Sequence, residues 1–579
     1  MAKGYRPVVR DQQFLVPPDM REWLPADHSV WTLIGIVEGL DTSAFHRLRR
    51  TGGAGRAGYD PDMLVTLLIW AWSQGVRSSR RIERACADVV SYRVICAGDG
   101  PDHVTIARFR AENHGACEQL FGQVLTLAAR LGLGRLETVA LDGVKIASNA
   151  SMAANRSTSG LAKAAEAEAA RIAKAVVAEH AATDAEEDEL FGEDNPGSVP
   201  AELADPAVLA ARIAEELARL DGEKTAAAEK PDDGPPPVSS HQSVQLDLVA
   251  RDRSGRIAQA QGRIAAEIAA EAAERHAAAR AYLTRIAAGE TMTGRAPAGA
   301  AVAMAERTLA ATIARSQAKH DSWAGRGAVG TRRPGRSPVP VEQNARVRQA
   351  RARLEAARAA AAAHVQFTEK IARTANITDP QSRIQPLRGG GWLQGYNCQA
   401  VTTADGLIMA TGAGTSPVDN QYYREMVDKT VTAAALITSH RPSHHAGAGI
   451  EEIGIMLADA GYCTHENLTG PGPDRLIATG KARYVHNAAL DEPAVGPPPE
   501  HLDPIEAMAH RLRTPEGITQ YASRSHIAET PFGHAKHNLG FRRFTSRGLA
   551  RARSEWTFHA AVHNIGKILT HLAATPLPA

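Results

Sequence analysis

Between about residues 155 and 388 the chain turns to Ala, Glu and Arg and holds few large apolar residues. Helical propensity is high there, but little can be buried. The block therefore reads as helical hairpins or coiled-coil-like arms joined by disordered linkers. An acidic run from Asp184 to Asp194 reads as a solvated loop, and Gly234 to Pro237 and Gly325 to Pro340 are breaks. Patterned apolar sequence lies on both sides of the block.

The N-terminal side, about 20 to 133, is helical in pattern. Asp60 and Pro61 form an N-cap and N1 pair, after which Met63, Leu64, Leu67, Leu68 and Ala71 keep one apolar face. Cys117, Leu120, Phe121, Val124, Leu125 and Ala128 recur at helical spacing up to Gly132 and Gly134. A short strand follows at Thr138 to Asp142, with Asp142-Gly143 as its stop.

Beyond the block, two alternating runs, Tyr396 to Thr402 and Leu407 to Thr411, flank Asp405-Gly406 and predict a hairpin. A helix is expected from about Asn420 to Leu436. The continuous apolar run Ile453 to Asp459 suits a strand covered on both faces. Leu476 to Thr479 is a further strand, and Tyr521 to Leu572 is helical again. This order is that of a mixed α/β sheet. At roughly 150 residues per domain, 579 residues suggest three to four folding units.

A formal net charge of +2 excludes an overall polycation, so any nucleic-acid contact must come from local basic stripes. The five cysteines are spread without a C-x-x-C pair, which argues against a zinc knuckle or disulfide framework. His440, His444 and His445 lack a partnering Cys or acid at ligand spacing. The apolar run Met63 to Trp72 is too short to span a bilayer and no signal peptide is apparent, so a cytoplasmic protein is expected.

Two aspartates, Asp142 and Asp459, end strands at the rim where open α/β sheets place ligands. Taken singly, each reads as a strand-end or turn residue. On neighbouring strands, the two would make a hard-oxygen site for Mg2+. Glu529 offers a third ligand. Pro531 predicts that a helix begins near Glu529, with Lys536 two turns on and Tyr521 and Arg524 upstream.

These pieces resemble a DDE transposase of a bacterial insertion sequence, from the group with a Tyr-Arg-Glu-Lys signature. The resemblance is carried by Leu141-Asp142-Gly143, Gln394-Gly395-Tyr396-Asn397, Ala458-Asp459-Ala460-Gly461-Tyr462, and Tyr521, Arg524, Glu529 and Lys536 followed by Gly540 to Phe544. Gly58 to Pro61 and Gly75 to Glu83 resemble the N-terminal domain of the same transposases. Four residues separate Arg524 from Glu529, where many relatives have three.

The resemblance implies an α/β, ribonuclease-H-like mixed sheet with flanking helices. An all-helical DNA-binding domain (1–133) precedes the catalytic domain (134–154 and 389–579), which the helical, partly disordered insertion (155–388) interrupts. It further implies catalytic and metal-binding roles for Asp142, Asp459 and Glu529. They would hold two Mg2+ ions, replaceable by Mn2+, while Tyr521, Arg524 and Lys536 position phosphates and the protein acts as a homodimer on DNA.

Basic stripes point to double-stranded DNA independently of the family. Arg77, Arg80, Arg81 and Arg84 have the spacing of one helix face. Arg108 and Arg110 follow an N-capped start at Asp102 that suits the second helix of a helix-turn-helix. From 521 to 559 there are seven Lys and Arg against two Glu. The expected activity is cleavage of element ends and their joining to target DNA in the nucleoid. The alternatives are a metal-dependent endonuclease without strand transfer and a catalytically silent DNA-binding descendant.

Overall fold

The computed structural model describes residues 19–47, 58–191, 248–290, 297–328, 336–370, 373–387, 389–442 and 452–574. His444 and His445, and part of the Asp184 to Asp194 run, lie outside these. Among the described residues no helix is long and apolar enough to cross a membrane. The chain divides into two compact units, one of residues 1–154, 185–249 and 381–579, the other of 155–184 and 250–380.

The first unit opens with helices α1 (Ser29–Glu38), α2 (Ser43–His46), α3 (Pro61–Ser73), α4 (Ser79–Asp88), α5 (Val90–Ile95), α6 (His103–Glu112) and α7 (Ala116–Arg130). Asp60 caps α3 by accepting from the Asp62 amide, with Pro61 at the first position. The apolar stripe expected on α3 is in fact a collar, because every residue from Leu64 to Trp72 is buried. Helix α7 buries the six apolar positions that its period marks out.

Strand β1 (Thr138–Ala147) runs five residues past Asp142. The Asp-Gly pair is therefore mid-strand, not a turn. After the second unit come β4 (Arg383–Pro386), β5 (Trp392–Thr403) and β6 (Ile408–Gly414). Strands β5 and β6 form the hairpin predicted around Asp405-Gly406. The Asp405 carboxylate accepts from the Gly134 and Arg135 amides at 2.8 and 3.1 Å, fastening the turn to the approach into β1. Helix α12 (Tyr423–His440) leads to β7 (Ile455–Ala458), which is buried throughout, and then to β8 (Arg475–Ile477).

The strand order is β4-β5-β1-β7-β8, with β6 also on β5. Strand β1 pairs antiparallel with β5 and parallel with β7, and β7 is parallel to β8. Helices α15 (Pro504–Leu512), α16 (Pro515–Ala522) and α17 (Arg524–Gly533), a π-turn (His534–Asn538) and α18 (Leu549–Ala574) complete the unit. One apolar core runs from Val30 on α1 through Trp72 and Val124 to Tyr396 and Trp556. Each fully buried large side chain in it contributes roughly 1.5–3 kcal/mol. The N-terminal helices thus share their interior with the sheet.

The second unit holds the β2 (Asn155–Ser157) and β3 (Thr374–Asn376) pair, the start of α8 (Thr158–Phe191), and α9 (Arg253–Ala287), α10 (Ala298–Ala328) and α11 (Ala345–Lys370). Its buried apolar cluster is small: Leu161, Ala260, Ile264 and Ala375. Helices of this length with so thin a core follow from Ala-rich sequence, which favours the helix without supplying area to bury.

Candidate catalytic site

Strand register settles the spatial relation of the two aspartates. Leu141 pairs with Ala458 across the parallel β1–β7 ladder, so the next residues, Asp142 and Asp459, issue from adjacent positions. Asp142 is 5% exposed and accepts from the Gly143 amide at 2.7 Å. Asp459 caps the short turn after β7, accepting from the Gly461 amide at 2.9 Å.

Close approach leaves no room for a side chain at Gly143 and little at Gly461. A Cβ on Gly143 would lie 2.6 Å from Gln399 Nε2 and 2.9 Å from Asp419 Oδ1. One on Gly461 would lie 3.0 Å from Asp459 Oδ1 and 3.3 Å from Asp419 Oδ2. Gly143→Ala is therefore expected to destabilise the unit by about 1–3 kcal/mol, the usual cost of forced overpacking. Urea unfolding would measure it, and an unchanged midpoint would contradict this packing.

Glu529 arrives on α17, which begins at Arg524 and not near Glu529 as the proline suggests. Pro531 lies inside the helix. Proline has no N–H to donate to the preceding turn, and a π-turn follows at once. Lys536 sits in that π-turn, so it does not continue a regular α-helical face from Glu529. Burial lowers the pKa of its ammonium from the ordinary value.

Arg524 joins the three parts. Its guanidinium lies 3.5 Å from Asp142 Oδ2 and 3.5 Å from Glu529 Oε1. Its own side chain is 11% exposed while that of Glu529 is 57% exposed. It also lies over the Tyr521 ring at 5.9 Å, and the Tyr521 hydroxyl donates to the Ala458 carbonyl at 3.2 Å. Burial pushes the Tyr521 phenol up to about 12; the Arg524 charge opposes this, and the Asp459 and Asp142 carboxylates add to it. The phenol stays a neutral donor over the range where DNA enzymes work.

Sequence reading missed Asp419. Its Oδ1 accepts from Asn397 Nδ2 at 2.7 Å, Gln399 Nε2 at 3.1 Å and Lys145 Nζ at 3.2 Å. The Tyr462 hydroxyl in turn donates to Gln399 Oε1. This buried network backs the turn that carries Asp459. The visible signal was Asn397 and Gln399, two polar residues on one face of β5; nothing local marks Asp419.

The basic residues divide. Arg77 precedes α4, so it is not part of a four-residue helix face; it donates to the Arg543 and Gly540 carbonyls at 2.9 and 2.6 Å and lies 4.5 Å from the Phe541 ring centroid. Arg110 donates to the Arg77 carbonyl at 3.1 Å and pairs with Glu555 at 3.1 Å. Both side chains are committed within the unit. Arg80, Arg81, Arg84 and Arg108 are exposed. Asp102 caps α6 as expected, accepting from the Thr105 amide at 2.8 Å, and a Glu83–His103 pair at 2.9 Å ties α4 to α6.

The donor set of Asp142, Asp459 and Glu529 is all carboxylate oxygen, which suits Mg2+ or Mn2+. Among the described residues, the group of three candidate ligands already within 4.8 Å of one another is His46, Asp60 and Asp62. Asp60 there caps α3 and Asp62 accepts from Thr42, so that group is explained by the fold.

Two family models match the chain. Residues 18–112, α1 to α6, match Transposase domain (DUF772), and residues 499–569, which contain Tyr521, Arg524, Glu529 and Lys536, match Transposase DDE domain. The two matches support a DDE transposase of an insertion element. No curated protein and no solved structure matches. The DDE match covers the helix that carries Glu529, while Asp142 and Asp459 lie outside it, on neighbouring strands of the sheet.

Proposed function

We propose that this transposase cuts the ends of its element and joins them to target DNA by in-line phosphoryl transfer. The observation that carries the reading is the convergence of Asp142 and Asp459 on neighbouring parallel strands, with Glu529 brought up through Arg524. The strand order, antiparallel hairpin then two parallel strands on β1, supports a ribonuclease-H-like catalytic fold.

Asp142, Asp459 and Glu529 would hold two Mg2+ ions, which supply activation of the attacking oxygen and stabilisation of the leaving oxygen. Arg524 would turn from the carboxylates toward a bound phosphate. Tyr521 keeps its proton and anchors α16 to the end of β7. Lys536, partly desolvated, offers a cation that is less screened than one in water. Arg80, Arg81, Arg84 and Arg108 present exposed charge to the DNA backbone, and a homodimer would pair two ends in the nucleoid.

Purified protein, a pre-cut labelled end fragment, Mg2+ and a plasmid target test this. Joined product is expected, and chelation of the metal should abolish it. Nicking without joining would support an endonuclease. Binding alone, unchanged by Asp459→Ala, would sink both catalytic readings.

A further inference from the structure

The second unit carries a basic groove that the proposed chemistry does not use. Helices α10 and α11 line a groove of about 400 Å³, and no Asp or Glu lines it. Arg315 and Lys319 come from α10, Arg346 and Arg353 from α11. All four are exposed. Their spacings, four and seven residues, place each pair on one face of its helix, about 6 and 10 Å apart along the axis.

The acids of this hairpin that are described, Glu355 among them, do not line the groove. Glu306 pairs with Arg358 at 2.9 Å and Glu342 with Arg351 at 2.5 Å. Asp321 accepts from Gln317 at 3.3 Å and does not line the groove. Among the described residues the four groove cations have no ion pair. Asn344 donates to the buried Ser316 hydroxyl at 3.1 Å, the Thr308 and Thr312 hydroxyls donate to carbonyls of their own helix, and Gln349 adds an amide group.

We propose that this groove binds the phosphodiester backbone of double-stranded DNA without reading sequence. Guanidinium, ammonium, hydroxyl and amide groups are the side chains that contact phosphate oxygens. Four unneutralised cations in one groove repel each other unless an anion of matching length lies between them. An acidic peptide would also bring charge, but a DNA strand carries a phosphate charge at regular intervals of about 3.4 Å along the axis, which suits cations set about 6 and 10 Å apart along two walls. The inference rests on the transposase reading only in naming DNA as the polyanion the protein meets.

The test uses the full chain carrying Asp459→Ala, so that binding is read without turnover and a failure of strand transfer leaves the measurement intact. The probe is a labelled random-sequence duplex titrated at 50–200 mM salt. Replacing Arg315, Lys319, Arg346 and Arg353 together by Gln is expected to weaken binding at least about tenfold at 100 mM salt. The slope of log K against log salt should shrink by about 3–4, since each phosphate contact contributes roughly 0.9. A companion with Lys at the three arginines should keep most of the slope, separating lost charge from lost structure. Affinity and slope equal to the parent's, with helix content unchanged, would overturn the proposal. So would polyglutamate binding that the Gln variant loses while its DNA binding stays equal to the parent's, which would give the groove to an acidic protein segment.

Discussion

Asp142→Asn is expected to reduce cleavage and joining by about 10³-fold or more, with the fold and DNA affinity retained. Asparagine keeps the volume of the buried side chain and an oxygen for the Gly143 amide, so little packing is lost. What disappears is the negative charge that faces Arg524 and that, with Asp459, would make the proposed hard-oxygen site. A group acting on charge developed in the transition state loses about 10²–10³ in rate when one stabilising contact goes, and losing a metal ligand belongs at or above the top of that range. Product analysis on pre-cut ends would measure the change, with gel-shift affinity and thermal unfolding as controls. Activity above a tenth of the parent's would remove Asp142 from the catalytic set.

Why that site was largely legible in sequence follows from where its parts sit. Asp142 and Asp459 each follow an apolar run, and apolar runs of that length report buried strands. The order of strand, hairpin and later strands gave no pairing by itself, but it matched the sheet once the family resemblance supplied the order. Where the reading failed, the decisive contact was long-range. Asp142-Gly143 has the composition of a turn, yet Gly143 is there because Gln399 and Asp419 occupy the space of its Cβ, and β1 continues through it. Asp419 itself is recognised only from the three side chains that converge on it. Pro531 marks a helix start by local rules, but tertiary packing overrides them: Ile527, Ala528, Pro531 and Phe532 are all buried on α17. A face packed this well tolerates one missing backbone bond.

The arginines show the same limit from the other side, and they lead to the second large effect. Glu555→Ala is expected to destabilise the first unit by about 3–5 kcal/mol, the cost of leaving one member of a buried ion pair uncompensated. The side chains of Arg110 and Glu555 are 14% and 7% exposed. Glu555 also accepts from the Thr545 amide at 2.9 Å and from the Ser546 amide and hydroxyl at 2.8 and 2.6 Å. Without it those donors and the Arg110 guanidinium are left facing a low-dielectric interior. Arg110→Gln should fall in the same range and leave the salt slope of DNA binding unchanged. Arg108→Gln, one turn of thought away in sequence but exposed, should leave stability unchanged and lower that slope by about 1. Urea unfolding and salt titration of both variants separate the two roles. If Arg110→Gln instead lowered the slope with no loss of stability, the pair with Glu555 would have to give way when DNA binds, and the shared core between the N-terminal helices and the sheet would be a joint that opens on the substrate.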